Sequence, residues 1–233
     1  MRIATYNFLS GGSARRSGHW STINRTLRPD ILLAQECKKP DRRSFRHTQW
    51  IQASERRWGT ALVAKQTELR PIAIDGFNGW ITGGEFKLRR KLIRIFSIHA
   101  PAGKRGYVHT VHQMIDKLAP LARDADLVLG GDFNVAVGFR APHESVRMSK
   151  AERDLMQRFV AELKLIPCWQ TANPGVDLAQ TLRWTGNRAA PYHCDGIFVP
   201  RSWKKRLRSC VVHAGGQWDS LSDHNPVVAD FDI

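Results

Sequence analysis

Six short apolar, β-branched runs are spread along the chain, and each carries a polar cluster at one end. Arg2-Ile3-Ala4-Thr5-Tyr6 ends on Asn7, and Asp30-Ile31-Leu32-Leu33-Ala34 ends on Gln35-Glu36. Ile93-Arg94-Ile95-Phe96-Ser97-Ile98 ends on His99, and Asp126-Leu127-Val128-Leu129-Gly130 leads into Gly131-Asp132-Phe133-Asn134. Asp195 opens the apolar run Gly196-Ile197-Phe198-Val199, and Asp223-His224 stands at the mouth of Pro226-Val227-Val228-Ala229. Runs of this length and composition read as buried strands. A polar residue at the end of a buried strand sits at a sheet edge facing solvent, where chemistry is done, rather than in the core. Asn, Glu, Asp and His delivered together form a hard, oxygen-rich set that suits Mg²⁺ or Mn²⁺ better than Zn²⁺.

Each cluster has a bland reading when taken alone. Asn7 could cap a turn, Glu36 could pair with Lys38 or Arg42, and His99 before Ala100-Pro101 could be a satisfied loop histidine. Gly131-Asp132-Phe133-Asn134 is rich in turn residues. As a set, those readings need six independent coincidences in one order, and the functional reading is preferred. For His19, His47, His109, His112, His143, His193 and His213 the bland reading stands.

The order and wording of these clusters resemble the endonuclease/exonuclease/phosphatase family. That family includes the exonuclease III-like abasic-site endonucleases, deoxyribonuclease I, sphingomyelinases and inositol polyphosphate 5-phosphatases. The resemblance runs from Thr5-Tyr6-Asn7 to Ser222-Asp223-His224-Asn225-Pro226, with Gly131-Asp132-Phe133-Asn134 and the last segment the most specific pieces. It implies an α+β fold: a four-layered α/β/β/α sandwich of two mixed β-sheets flanked by helices, with the site at one end. It also implies that Glu36 holds Mg²⁺, with Asn7 and Asp223 contributing and Mn²⁺ able to substitute.

Under that resemblance the catalytic set is Asp132, Asn134, His99, Asp195 and His224. Asp132 positions or deprotonates the attacking water. Asn134, two residues further along an extended segment, points to the same side and donates to a phosphoryl oxygen. His224 polarises the phosphoryl oxygen or acts as base, with Asp195 orienting it and keeping it cationic. His99 donates to another phosphate oxygen. Whether Asp132 or His224 takes the proton stays open at this level.

Charge narrows the substrate. Lys and Arg number 36 against 21 Asp and Glu, a net charge of +15 that attracts polyanions. Lys38, Lys39, Arg42 and Arg43, with Arg46, follow Glu36, and Lys104 and Arg105 follow His99. These groups leave the same strand ends as the catalytic residues and are expected to rim the site. A further run, Arg201, Lys204, Lys205, Arg206 and Arg208, reads equally well as a solvated face. Trp184 and Tyr192 stand upstream of Asp195, where abasic-site members of the family line a sugar pocket, although core packing is the better reading of Trp184. The first hypothesis is therefore a Mg²⁺-dependent endo- or exonuclease, including action on abasic DNA, with DNA favoured over RNA. The alternative is a phosphatase or phospholipase-type member acting on a small phosphorylated molecule or lipid head group. A non-catalytic nucleic-acid-binding module is a third reading, and it predicts damaged motifs that are not found.

Two departures from the family pattern stand out. Gly196 replaces the aromatic residue that often follows the fifth-strand Asp, and the segment from Val135 to Met148 is short, lacking the large insertions of lipid- and inositol-directed members.

The remaining features bound the class. The 233 residues, 42% of them hydrophobic, suit one domain spanning 1–233. No apolar run approaches the roughly 20 residues that cross a bilayer. The start reads as a strand, not a leader, and Cys37, Cys168, Cys194 and Cys210 lack metal spacing. Those features point to a monomeric cytoplasmic enzyme with reduced thiols that does not engage membranes. Helices are expected over 21–27, 106–122 (Val108, Val111, Ile115, Leu118) and 150–163 (Leu155, Phe159, Val160, Leu163). Further strands are expected around Trp50–Ala53, Trp58–Val63 and Trp80–Thr82.

Overall fold

Two six-stranded mixed sheets stack face to face in the computed structural model, which describes residues 1–11, 18–40 and 45–233. The first sheet runs, edge to edge, β11 (Leu207–Val212), β12 (Val227–Phe231), β1 (Arg2–Asn7), β2 (Ile31–Cys37), β4 (Gly59–Ala64) and β3 (His47–Gln52). The second runs β5 (Arg70–Ile72), β6 (Ile81–Leu88), β7 (Lys91–His99), β8 (Asp126–Asp132), β10 (Asp195–Pro200) and β9 (Leu165–Pro167). The pairs β1–β2 and β7–β8 are parallel, and the other pairs are antiparallel.

The apolar runs explain this layering. Central strands are buried on both faces and therefore read as continuous rather than alternating. Ile3, Ile31, Leu33, Leu62, Ile95 and Val128 fill the space between the sheets. The outer face of the first sheet (Tyr6, Leu32, Val63) is covered by α1 (His19–Thr26) through Trp20 and Ile23 and by α5 (Gln217–Leu221) through Trp218. The outer face of the second sheet (Phe96, Leu129, Phe198) is covered by α2 (Tyr107–Leu118) through Val111, Met114 and Ile115 and by α3 (Lys150–Gln157) through Leu155 and Met156. The result is the α/β/β/α sandwich. The short helix α4 (Cys168–Ala172) packs beside β10 and β11.

The expected helices form, with shorter regular parts. The segment expected over 106–122 is helical to Leu118 and tightens into a 3₁₀ turn, Ala119–Ala122, around Pro120. The segment over 150–163 widens after Gln157 into a π-type turn, Arg158–Glu162. Ser149 caps α3 through a capping box, with Glu152 N–H donating to Ser149 Oγ at 3.1 Å and Ser149 N–H to a Glu152 carboxylate oxygen at 2.8 Å. All four cysteines are free and buried. Among the described residues no helix is long and apolar enough to cross a membrane.

Polar residues also join the sheets. Gln35, inside β2, accepts from Thr5 Oγ1 at 3.2 Å and donates to Ser97 Oγ at 3.0 Å, so it links β1, β2 and β7. The Thr60 and Thr82 hydroxyls meet at 2.7 Å between β4 and β6. Buried polar groups satisfied in this way fix the relative placement of the sheets. That placement sets the distances at their shared end.

Candidate active site

Five strand ends converge at one end of the sandwich. Asn7 and Glu36 come from the first sheet, His99, Asp132 and Asp195 from the second, and Asp223-His224 from the turn before β12. Asn7 Nδ2 donates to Asp132 Oδ2 at 2.9 Å across the sheet interface and lies 3.4 Å from Glu36 Oε1. Its own Oδ1 accepts from Leu9 N–H at 2.9 Å, so the amide turns its NH₂ toward the carboxylates.

Glu36 sits in the left-handed region, at φ 46°, where the β2–β4 register shifts between Ala34 and Cys37. A non-glycine residue held there costs about 1–3 kcal/mol, a strain that collects at functional sites. The bulge turns Glu36 toward Asn7, Ser10 and His99 rather than onto a sheet face. Ser10 Oγ donates to Glu36 Oε2 at 3.1 Å, and His99 Nε2 lies 3.6 Å from Glu36 Oε1.

Asp132 is almost fully buried. Its Oδ1 accepts the Asn134 backbone N–H at 2.9 Å, and the Asn134 side-chain NH₂ donates to Ala100 O at 3.1 Å and toward Asp132 Oδ2 at 3.4 Å. The expectation of an extended segment here is corrected. Asn134 has φ 52°, so Asp132 and Asn134 meet through an Asx turn, not through strand alternation. Gly131 is needed because a Cβ there would lie 1.8 Å from the Ile98 carbonyl oxygen.

Asp195 opposes Asp132 in register across β8–β10, and its two oxygens lie 3.1 and 2.9 Å from His224 Nδ1. The other ring nitrogen, Nε2, is 3.8 Å from Asp132 Oδ2 and 3.9 Å from Asp223 Oδ1. Burial works against charge on His224, but Asp195 and Asp132 outweigh it and push its pKa up to about 10. Burial and the neighbouring Asp195 raise the Asp132 carboxyl, against the pull of His224 and His99.

His99 differs. Its ring lies 5.2 Å from Trp58 and 5.4 Å from Trp80, two indoles that meet edge to face. Burial in this slot lowers its pKa to about 4, so it is a neutral imidazole at pH 7. Its Nδ1 is buried without a hydrogen-bond partner, and its Nε2 stands 3.6 Å from both Glu36 and Asp132.

A cleft of about 650 Å³ opens beside Asn134, Asp223 and His224 and is walled by Tyr107, Trp184 and Tyr192. Trp184 is 51% exposed and meets Tyr192 edge to face at 6.1 Å, so the core-packing reading of Trp184 is corrected. The segment that carries it is held by isolated bridges from Leu182 to Tyr192 and His224, which leave the indole at the cleft rather than over a core. Lys38, Lys39, Lys104 and Arg105 are exposed on the loops that leave β2 and β7 at this end. Arg42 and Arg43 lie outside the described residues. The space beside Gly196 is not open: a Cβ there would meet Val137 Cγ2 at 2.8 Å.

Several supporting residues carry no sequence signal. Arg183, buried, donates to Asn225 Oδ1 and to Ser222 O, and pairs with Asp219 at 3.2 Å, tying down the turn that carries Asp223-His224. Ser222 Oγ donates to Asn7 O at 2.8 Å and accepts His224 N–H at 3.1 Å. Thr181 Oγ1 accepts the backbone N–H of both Cys194 and Asp195 at 3.0 Å. Trp58 and Trp80 read only as strand residues because their approach to His99 is tertiary.

Residues 4–224 match the model of the Endonuclease/Exonuclease/phosphatase family. The chain belongs to that family. It is thus an enzyme that hydrolyses phosphate esters, built like other members of the Endonuclease/Exonuclease/phosphatase family. Among solved structures it is similar to an AP endonuclease from Archaeoglobus fulgidus (20% identity, all of both chains covered, TM-score 0.75). It is equally similar to the 3′ phosphatase NExo from Neisseria bound to a product DNA hairpin (19% identity, all of both chains covered, TM-score 0.75). The endonuclease domain of TRAS1, a telomere-specific non-LTR retrotransposon, matches at 18% identity over all of this chain and 98% of the other, with a TM-score of 0.64. No curated protein matches the sequence.

Proposed function

We propose that this protein is a divalent-metal-dependent nuclease that cleaves nucleic-acid phosphodiesters, DNA in preference to RNA, by in-line attack of water. The observation that carries this reading is the ring of Glu36, Asn7, Asp132, His224 and Asp223 beside an aromatic-walled cleft on a chain of net charge +15. The similar structures from Archaeoglobus and Neisseria, an AP endonuclease and a DNA-bound 3′ phosphatase, add weight to DNA as the substrate.

Two candidate donor sets for a metal differ in fit. Asp132, Cys194, Asp195 and His224 offer ligand atoms within 4.8 Å of one another. However, burial pushes the Cys194 thiol well above its usual range, and both Asp195 oxygens are engaged by a cationic His224. Glu36 and Asp223 fit better. The Glu36 oxygens have a hydroxyl contact from Ser10, a long amide contact from Asn7 and His99 Nε2 at 3.6 Å, and Asp223 Oδ1 is buried without a hydrogen-bond partner. Two carboxylates with unspent oxygens suit Mg²⁺, with Mn²⁺ as substitute. Asn7 could join them through its oxygen after release from Leu9 N–H. Held by these carboxylates, a divalent ion would supply charge neutralisation at the phosphoryl group and stabilisation of the leaving oxygen.

The side chains divide the remaining work. Asp132, with one oxygen fixed by Asn134 and the other by Asn7, accepts the proton of the attacking water. His224, held cationic by Asp195, donates from Nε2 to a phosphoryl oxygen and so does not serve as the base. His99, neutral, donates from Nε2 to another phosphate oxygen. Asn134 holds Asp132 in place and becomes available to phosphate only on leaving Ala100 O. Lys38, Lys39, Lys104 and Arg105, with Arg42 and Arg43, take the flanking phosphates, and Trp184 and Tyr192 face the sugar or base.

The decisive experiment is a cleavage panel of supercoiled plasmid, linear duplex, abasic duplex, single-stranded RNA and a chromogenic phosphodiester, at low salt, with Mg²⁺ or EDTA. Metal-dependent cleavage of a nucleic acid, lost in Asp132→Ala, supports the reading. Turnover of the small ester alone overturns it and favours phosphatase chemistry.

A further inference from the structure

Resting on the nucleic-acid reading above, we infer that the end of the sandwich opposite the catalytic cleft is a second nucleic-acid contact, formed by Arg89-Arg90-Lys91 and Arg201–Arg206 around one groove and gripping phosphodiester backbone.

Topology places this groove. Lys91 begins β7 and His99 ends it, so the two are about 26 Å apart at 3.3 Å per residue. Asp126 begins β8 and Pro200 ends β10, so the β6–β7 turn and the 3₁₀ segment Arg201–Arg206 emerge together, away from Asp132 and Asp195. They line a groove of about 330 Å³ that includes Arg89, Arg90, Lys91, Trp203 and Arg206. The run from Arg201 to Arg208 is therefore not part of the catalytic rim.

Its charge is largely uncompensated. Arg89, Arg90, Arg201, Lys204, Lys205 and Arg206 are exposed and have no ion-pair partner among the described residues. Lys91 reaches Asp126 at 3.5 Å, but that carboxylate also accepts Trp203 Nε1 at 3.2 Å. Arg89 is close enough to depress the Asp232 carboxyl, yet Asp232 is already paired with Arg208. Cations that outnumber the acids beside them repel one another, a cost that a bound polyanion removes while releasing its counterions.

The frame beneath the cations is rigid. Trp203 is buried against Phe231, with ring centroids 5.4 Å apart, and Arg201 N–H donates to Lys164 O at 3.1 Å. The apolar members of the groove, Leu88, Ile93 and Trp203, are half-buried or buried. A membrane-docking face presents apolar side chains for insertion, and this groove presents none. A phosphate backbone needs only the spaced cations.

The test compares two triple charge reversals of the full chain, which lower net charge equally. Arg89→Glu, Arg90→Glu, Arg206→Glu alters the groove. Arg25→Glu, Arg70→Glu, Lys117→Glu alters exposed cations outside both groove and cleft. Binding to a duplex of several hundred base pairs is measured in EDTA across a salt series, and kcat/KM is measured with Mg²⁺ on a duplex of ~10 bp, one helical turn. The groove variant is expected to bind the long duplex at least tenfold more weakly, with a log–log salt slope smaller by about 2–3. Its kcat/KM on the short duplex stays within twofold of the charge-matched variant's, because non-productive binding cancels from that ratio. Equal weakening in both variants, or unchanged long-duplex binding in the groove variant, overturns the inference. So does loss of binding to acidic protein or anionic vesicles with DNA binding retained. Should the reversal disturb folding, judged by Tm, the Arg→Gln version of the same three positions carries the comparison. Absence of cleavage by the parent protein counts against the nuclease reading alone, since the binding arm still decides this one.

Discussion

Asn7 Nδ2 donates to Asp132 Oδ2 at 2.9 Å, joining residues 125 apart in sequence and belonging to different sheets. The bond holds the two halves of the candidate site in register. It also places a neutral donor among carboxylates that would otherwise repel. Asn7→Ala removes that donor and leaves Leu9 N–H, and in part Asp132 Oδ2, without a partner. A lost preorganised donor costs on the order of 10²–10³ in rate, so kcat at saturating metal is expected to fall by that factor, with stability lower by about 1–3 kcal/mol. Activity within threefold of the parent would assign the bond a structural role only.

The pairing of Asp195 with His224 makes a pH prediction. His224 has a folded-state pKa of about 10, above its ordinary 6.5. Its contribution to stability is fully present below pH 6.5 and is lost as pH rises through 10. Asp195→Asn keeps the shape and removes the charge. The variant is expected to show a flatter stability curve between pH 7 and 10. In the metal-free protein its His224 NMR titration should move down, and kcat should fall by roughly 10²–10⁴. An unmoved His224 titration would show that Asp195 does not hold the charge.

What could be read in the sequence was what local pattern encodes. Asp132 and His224 stood out because each closes or opens a run of buried, β-branched residues, and burial on both sheet faces makes such runs continuous. The positions that escaped depend on approaches made only in three dimensions. Trp58 and Trp80 are ordinary strand-end aromatics until β4 and β6 bring them against His99. Arg183 lies in an irregular segment, and nothing around it signals that it braces Ser222 and Asn225 some 40 residues later. Trp184 misled in the opposite direction, because size and hydrophobicity favour burial on average and only the fold reveals an exposed cleft wall. The extended reading of Asn134 failed because a carboxylate two residues earlier captures its backbone N–H.

Trp184 makes a prediction about binding. With 51% of its surface exposed, Tyr192 at its edge and Gly186 packed against its six-membered ring, the indole leaves surface open for stacking. Stacking on one aromatic is worth about 1–3 kcal/mol. Trp184→Ala is expected to raise KM for a nucleic-acid substrate by roughly tenfold or more while kcat changes less, and Trp184→Phe should recover most of the loss. An equal loss in Ala and Phe variants would point to shape rather than stacking.

Burial holds His193 neutral, with a pKa lowered to about 4, while its Nδ1 donates to Ala179 O at 2.6 Å. Between pH 6.5 and 4 the unfolded chain takes a proton that the folded chain refuses, so stability falls on acidification. From pH 6.5 to 5 this group alone accounts for about 2 kcal/mol. His193→Asn keeps a donor near the Nδ1 position and cannot titrate. Chemical denaturation at pH 7 and pH 5 is expected to show a smaller acid loss in the variant, with His99 supplying part of what remains.

Arg183 tests whether the turn carrying Asp223 and His224 needs its brace. The guanidinium serves Asn225 Oδ1, Ser222 O and the Asp219 carboxylate at once, a reach that suits its planar fork and not a lysine ammonium. Arg183→Met strands the two buried acceptors, and each unsatisfied group costs about 1–3 kcal/mol. Stability is expected to fall by about 2–4 kcal/mol in chemical denaturation, and Arg183→Lys should restore little of it. Because the brace acts through His224, kcat should fall more than KM changes in whatever folded fraction remains. If Arg183→Lys recovers both stability and kcat, a single positive charge suffices, and the fork geometry is not what positions the turn.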